Sequence, residues 1–120
     1  MFGFENLDTW KSAIDFAGLV YRATHKLPDD ERYGLTSQMR RAAVSISSNV
    51  AEGNSRTSRK DYLRFVEIAY GSLMEVISQT HIARQQRFMN ENDFKELYEF
   101  AERLARMLSG LRRHLKRDEG

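Results

Sequence analysis

The feature that most constrains this chain is the spacing of its apolar residues, which advances by three and four positions. It is cleanest in Phe94, Leu97, Ala101, Leu104, Leu108, Leu111 and Leu115. Side chains three and four apart share one face of an α-helix, whereas a half-buried strand would alternate. A helix with one apolar face must bury it against a neighbour, and the rest of the chain offers only more helices. One proline, a background of helix formers and little alternation predict an all-α protein.

Four segments follow. The first runs from about 7 to 26, with Asn6 or Asp8 as N-cap and a seam of Leu7, Trp10, Ile14, Ala17, Tyr21 and Thr24. Leu27-Pro28 ends it, because proline disfavours helix in the residue before it. The second, about 35 to 52, turns Leu35, Met39, Ala42, Ala43, Ile46 and Val50 to the core, and Gly53 is expected as a left-handed cap. Its other face, Arg40, Val44, Ser47, Ser48 and Ala51, is mostly small. The third, about 59 to 87, is opened by Ser58 with Asp61 three residues on. Its apolar residues cover about half the circumference, wider than a bundle core needs. Gly71 inside it predicts a close packing contact, since a mid-helix glycine costs ~1 kcal/mol. The fourth, about 91 to 116, starts at the N-cap Asn90 and carries the stripe above. Arg117 to Gly120 reads as a frayed tail. Four amphipathic helices with short connections predict a single domain over 1–120, an antiparallel up-down-up-down four-helix bundle.

Composition excludes several classes of function. There is no cysteine, hence no disulfide, thiolate metal site or cysteine nucleophile. No apolar run is long enough to span a membrane, and the amino terminus lacks the pattern of a signal peptide, so a cytoplasmic protein is expected. His25, His81 and His114 lie on three helices without ligands at metal spacing, and no cofactor or metal is expected. Ser45, Ser47 and Ser48 lack a nucleophile elbow and a nearby histidine, which makes them packing residues. Glu52 and Glu75 lack a partner nucleophile or phosphate loop, so no enzyme and no small-molecule substrate are predicted.

With nineteen bases against seventeen acids, net charge says little about partners, but the clustering is informative. Arg56, Arg59, Lys60 and Arg64 surround the middle connection, and Arg106, Arg113, Lys116 and Arg117 lie in the basic second half of helix 4. Both groups are candidate phosphate contacts for RNA or DNA. Two ordinary readings stand beside that one. Bases at the end of helix 4 complement its macrodipole, and charged turns are commonly just solvated. Arg40 and Arg41 with Glu52 and Glu75 either pair helices 2 and 3 or pair across subunits. Apolar residues off the seams, Phe16, Leu19 and Ala23 on helix 1 with Val44 and Ala51 on helix 2, predict a self-association surface. The interface candidates are Phe16, Leu19, Arg40, Val44, Ser47, Ser48 and Ala51.

The strings YGLTSQMRRAAVSISSNVAEG (33–53) and SRKDYLRFVEIAYGSLMEV (58–76), with FENLDTWKSA (4–13), resemble the 23S rRNA intervening-sequence protein family, also called the four helix bundle protein family. The likeness fades after about Leu108. Many relatives carry proline where this chain has Ser47, which implies a straighter helix 2 here. The resemblance implies a four-helix up-down bundle assembled as a homopentameric ring. A similar bundle, the accessory variability determinant of diversity-generating retroelements, binds nucleic acid through a basic surface. No biochemical activity follows for the intervening-sequence branch itself.

Overall fold

The computed structural model describes residues 1–117. Over them the chain forms four helices, α1 Asp8–Thr24, α2 Leu35–Asn54, α3 Arg59–Gln85 and α4 Glu91–Arg117. Short 3-10 turns, Gly3–Asn6 and Asp29–Glu31, precede α1 and α2. Among the described residues there is no strand. Arg117 closes α4 instead of opening a tail, and the expectation for 118–120 lies outside the described residues.

α1 and α3 each pack on α2 and α4, while the diagonal pairs do not approach. Residue contacts give the directions. The end of α1 meets the start of α2, where Arg40 reaches Thr24, and Lys26, just beyond α1, meets Asp93 in the first turn of α4. At the opposite end Gly53 of α2 lies against Tyr62 and Phe65 of α3, and Arg59 of α3 bonds to His114 of α4. Neighbouring helices therefore run antiparallel, in a bundle of 46 × 24 × 20 Å.

The α4 stripe is inside as its spacing predicts, with Phe94, Leu97, Ala101, Leu104, Leu108 and Leu115 buried and Leu111 packed against them. Met39, Ala42, Ala43, Ile46 and Val50 of α2 are buried too. Each fully buried large aliphatic or aromatic side chain contributes about 1.5–3 kcal/mol. The wide apolar arc of α3 is largely absorbed by packing on both neighbours. Phe65, Val66, Ala69, Leu73 and Val76 are buried, whereas Ile68, Met74 and Ile82 stay exposed.

Helix α1 is rotated from the expected phase. Ala13, Phe16, Leu19, Val20 and Ala23 form its core face, while Ile14 and Tyr21 from the expected seam are 43% and 45% exposed. Both stripes satisfy helical spacing, and the bulkier Phe16 packs into the bundle, its ring 5.6 Å from that of Phe100. Phe16 and Leu19 are therefore core residues, at 0% and 8% exposure, and are not available as interface residues.

The helix ends show which local signals decide. Ser58 caps α3 by accepting the Asp61 amide at 3.0 Å, and Asn90 accepts that of Asp93 at 2.7 Å, both as expected. α1 instead starts after Leu7, without a side-chain cap from Asn6 or Asp8. α2 runs through Gly53 to Asn54, and no glycine among the described residues has a positive φ, so Gly53 is not a left-handed cap. It is there for close approach: a Cβ at Gly53 would sit 2.9 Å from both Phe65 Cβ and Tyr62 Cδ1. Gly71 behaves the other way, for its Cβ would meet nothing within 4 Å among the described residues, so the expected packing contact is not made within the bundle. Among the described residues the left-handed one is Arg87, at φ 62°, after which the Phe88 amide bonds back to the Ala83 carbonyl at 2.8 Å. That six-to-one bond closes α3 in the manner of a Schellman motif.

Candidate nucleic-acid interface

The antiparallel order brings the start of α1, the α2–α3 connection and the end of α4 to one end of the bundle. Ser55 turns the chain out of α2, its hydroxyl donating to the Glu52 carbonyl at 2.6 Å, and Ser58 starts α3. Arg56, Arg59 and Lys60 come from this connection and the first turn of α3, and Arg64 from the turn after. Arg113, Lys116 and Arg117 come from the last turns of α4. Arg59 ties the two groups, its Nη2 donating to the His114 carbonyl at 3.2 Å. Arg106 is not part of this end, since seven residues of helix put it ~10 Å further up α4 than Arg113.

Two of these arginines are held in place by an aromatic ring. The guanidinium carbons of Arg56 and Arg64 lie 4.7 and 4.5 Å from the Phe65 ring centroid. Phe65 is 7% exposed yet lies outside the central core cluster, so these side chains supply part of its cover. Carboxylates steady both arginines, Glu52 at 3.9 Å from Arg56 and Asp61 at 3.4 Å from Arg64. Such solvent-facing pairs contribute ~0–1 kcal/mol and leave the guanidinium edges open to other anions. Arg112 is more fully committed, stacked 4.2 Å from the Tyr70 centroid and 3.4 Å from Glu67, which also draws Lys116 to 3.9 Å. Lys60, Arg106, Arg113 and Arg117 are exposed, and their side chains make no ion pair among the described residues.

The carboxylates weighed for acid–base chemistry do not converge. Glu52 turns to Arg56, and Glu75 accepts from Gln79 at 3.5 Å. Gly53 meets α3 at Tyr62 and Phe65, so Glu75 is ten residues further along, ~15 Å away. No group of three or more His, Cys, Asp and Glu side chains among the described residues is arranged to hold a metal ion. No helix of the described residues is long and apolar enough to cross a membrane.

The family model described as 23S rRNA-intervening sequence protein matches residues 5–110. The chain belongs to the 23S rRNA-intervening sequence protein family. Among solved structures it is similar to a protein of unknown function from the S23 ribosomal protein family of Bacteroides thetaiotaomicron. The TM-score is 0.80 at 15% identity, over 87% of this chain and 97% of that one. That likeness shows a shared fold. No curated protein sequence matches.

In this member of the 23S rRNA-intervening sequence family, the small face of α2 is divided between two environments. Arg40 is not paired with Glu52 or Glu75. Its Nε donates to Thr24 Oγ1 at 2.9 Å and its Nη2 to the Tyr21 carbonyl at 3.3 Å, while the guanidinium lies over the Tyr21 ring. It thus clasps the end of α1, sharing the Tyr21 carbonyl with the His25 amide at 3.1 Å. Ser47 is buried and its hydroxyl donates to the Val44 carbonyl at 3.1 Å. Ala51 is half-buried, whereas Val44 and Ser48 are exposed. Only Val44 and Ser48 of the interface candidates thus present open side chains.

The sequence reading also missed part of the basic end. A concavity of ≈ 270 Å³ opens there, and Leu7, Tyr62, Leu111 and Leu115 line it together with Arg56 and Arg59. Its walls come from the ends of several helices, so no spacing within one helix announces it.

Proposed function

We propose that this chain is a cytoplasmic, non-enzymatic homo-oligomer that binds RNA or DNA through the basic end of its bundle. The carrying observation concerns α3. Bases in the last turns of α4 are what its macrodipole favours. Lys60 lies in the first turn of α3, where the dipole and the unpaired amides favour anions instead, and its side chain makes no ion pair among the described residues. Each cation placed against the dipole costs about 0.3–1 kcal/mol. Helix stability therefore gives no reason for Lys60, whereas a phosphate ligand does, since it would meet a cation and free amides together.

Self-association is supported by the outer surface of α2 and α3, where Val44, Ser48 and Ile68 are exposed near Gly71, a helix-interior glycine with open space before it. The homopentamer that the family resemblance implies would repeat the basic end in every subunit, multiplying weak phosphate contacts.

Two measurements test the reading. Binding of labelled RNA and DNA across a salt series should weaken linearly on a logarithmic plot. Replacing Arg56, Lys60 and Arg64 with alanine should flatten that slope. Absence of binding at low salt would leave a protein-interaction scaffold as the reading. Light scattering should give a multiple of the 14.0 kDa chain, and a monomer mass at micromolar concentration rules out the ring.

A further inference from the structure

We infer that the concavity at the basic end receives one unpaired nucleobase, so that this protein prefers single-stranded nucleic acid to duplex. The inference rests on the nucleic-acid reading above and adds the class of ligand. A site for phosphate alone has no use for an apolar floor, yet Leu7, Leu111, Leu115 and Tyr62 all line this concavity in the basic end. Nor does an ordinary hydrophobic ligand need Arg56 and Arg59, which line the same concavity, or the exposed Lys60 and Lys116 close by in the chain. An unpaired nucleotide answers to both, with a flat, largely apolar base for the floor and a phosphate on each side for the cations.

Size and form agree with that occupant. At ≈ 270 Å³ the concavity falls just below the ~300–1,000 Å³ of clefts that take drug-sized ligands, which suits one ring system and little more. Tyr62 lines it with a half-buried ring whose hydroxyl accepts a hydrogen bond from the Asn54 amide at 3.4 Å. That bond and the tight contact with Gly53 hold the ring still, the condition for a stacking platform. A duplex keeps its base faces stacked on each other and so offers this floor nothing.

The test is fluorescence anisotropy with three probes at one salt concentration: a labelled single strand of about 12 nucleotides, the same strand with abasic positions, and its duplex. The intact single strand is expected to bind at least about tenfold more tightly than the abasic strand, which carries the same phosphates. It should also bind more tightly than the duplex. Equal binding of intact and abasic strands, or tighter binding of the duplex, overturns the inference and leaves the nucleic-acid reading in place. No binding of any probe at low salt removes both.

Leu111→Lys locates the site. It adds a cation while spoiling the floor, so simple charge attraction predicts tighter binding of every probe. The base site predicts that the preference for the intact strand disappears. Survival of that preference in a variant with an unchanged helical circular dichroism spectrum places the base elsewhere. If the variant does not fold, the three-probe comparison with the unaltered protein still decides.

Discussion

Where α1 ends and α4 begins, Lys26 holds Asp93 at 3.1 Å, Arg84 holds Glu91 at 3.7 Å, and the Glu31 carboxylate accepts the Leu35 amide at 3.1 Å. At the opposite end Lys60, Arg113 and Arg117 have no carboxylate partner among the described residues. In the first region charge follows the rules of helix construction, with acids at helix starts and bases beside them. In the second, α4 obeys those rules and the start of α3 breaks them. Conflict between local preference and observed placement is where function, not stability, explains a residue. Lys60, Arg113 and Arg117, which have no carboxylate partner among the described residues, thus stand apart from the bases that ion pairs hold at the other end.

The largest expected effect tests that separation directly. Arg56→Ala, Lys60→Ala and Arg64→Ala together should weaken nucleic-acid binding roughly 10- to 100-fold at low salt, with a salt slope shallower by about 2–3. Removing Arg32, Arg87 and Lys95 from the other end takes away the same charge and should change neither quantity. Equal losses from the two triple variants would mean that net charge alone attracts the ligand.

Next in size is a packing test at the basic end. Gly53→Ala should cost about 1–3 kcal/mol from the clash with Phe65 and Tyr62, partly offset by ~1 kcal/mol of helix propensity. Gly71→Ala has only the propensity term and should raise stability by ~1 kcal/mol in urea unfolding. If the ring forms across that surface, the same substitution should instead weaken assembly, read by light scattering. The caps come third: Ser58→Ala and Asn90→Ala should each cost ~1 kcal/mol. Because the two caps lie at opposite ends, only Ser58→Ala should also disturb binding. Smallest is Arg87→Gly, which relieves a left-handed side chain and should gain about 0.5–1 kcal/mol with binding untouched.

Signals confined to one helix were legible in the sequence. The α4 stripe and the caps at Ser58 and Asn90 need only their own neighbours in the chain, and they are where spacing puts them. The phase of α1 was not legible, because Ile14 with Tyr21 and Phe16 with Val20 fit helical spacing equally well. Which pair is buried depends on rings and aliphatics contributed by α2 and α4. Gly53 was misread for a related reason: a glycine near a helix end permits a left-handed turn and permits close approach, and only the position of α3 distinguishes them. The basic clusters were identified one by one, but their meeting at one end follows from topology, and the concavity between them from helix ends far apart in sequence.

The cover over Phe65 has a consequence for what an occupied molecule presents to its surroundings. Part of that shelter is supplied by Arg56 and Arg64, the same two groups that anions would compete for. Any ligand that draws a guanidinium off the ring trades a cationic surface for an aromatic one. Loading this end with charge therefore makes it less hydrophilic, and adhesion between loaded molecules becomes a property to watch in concentrated solution.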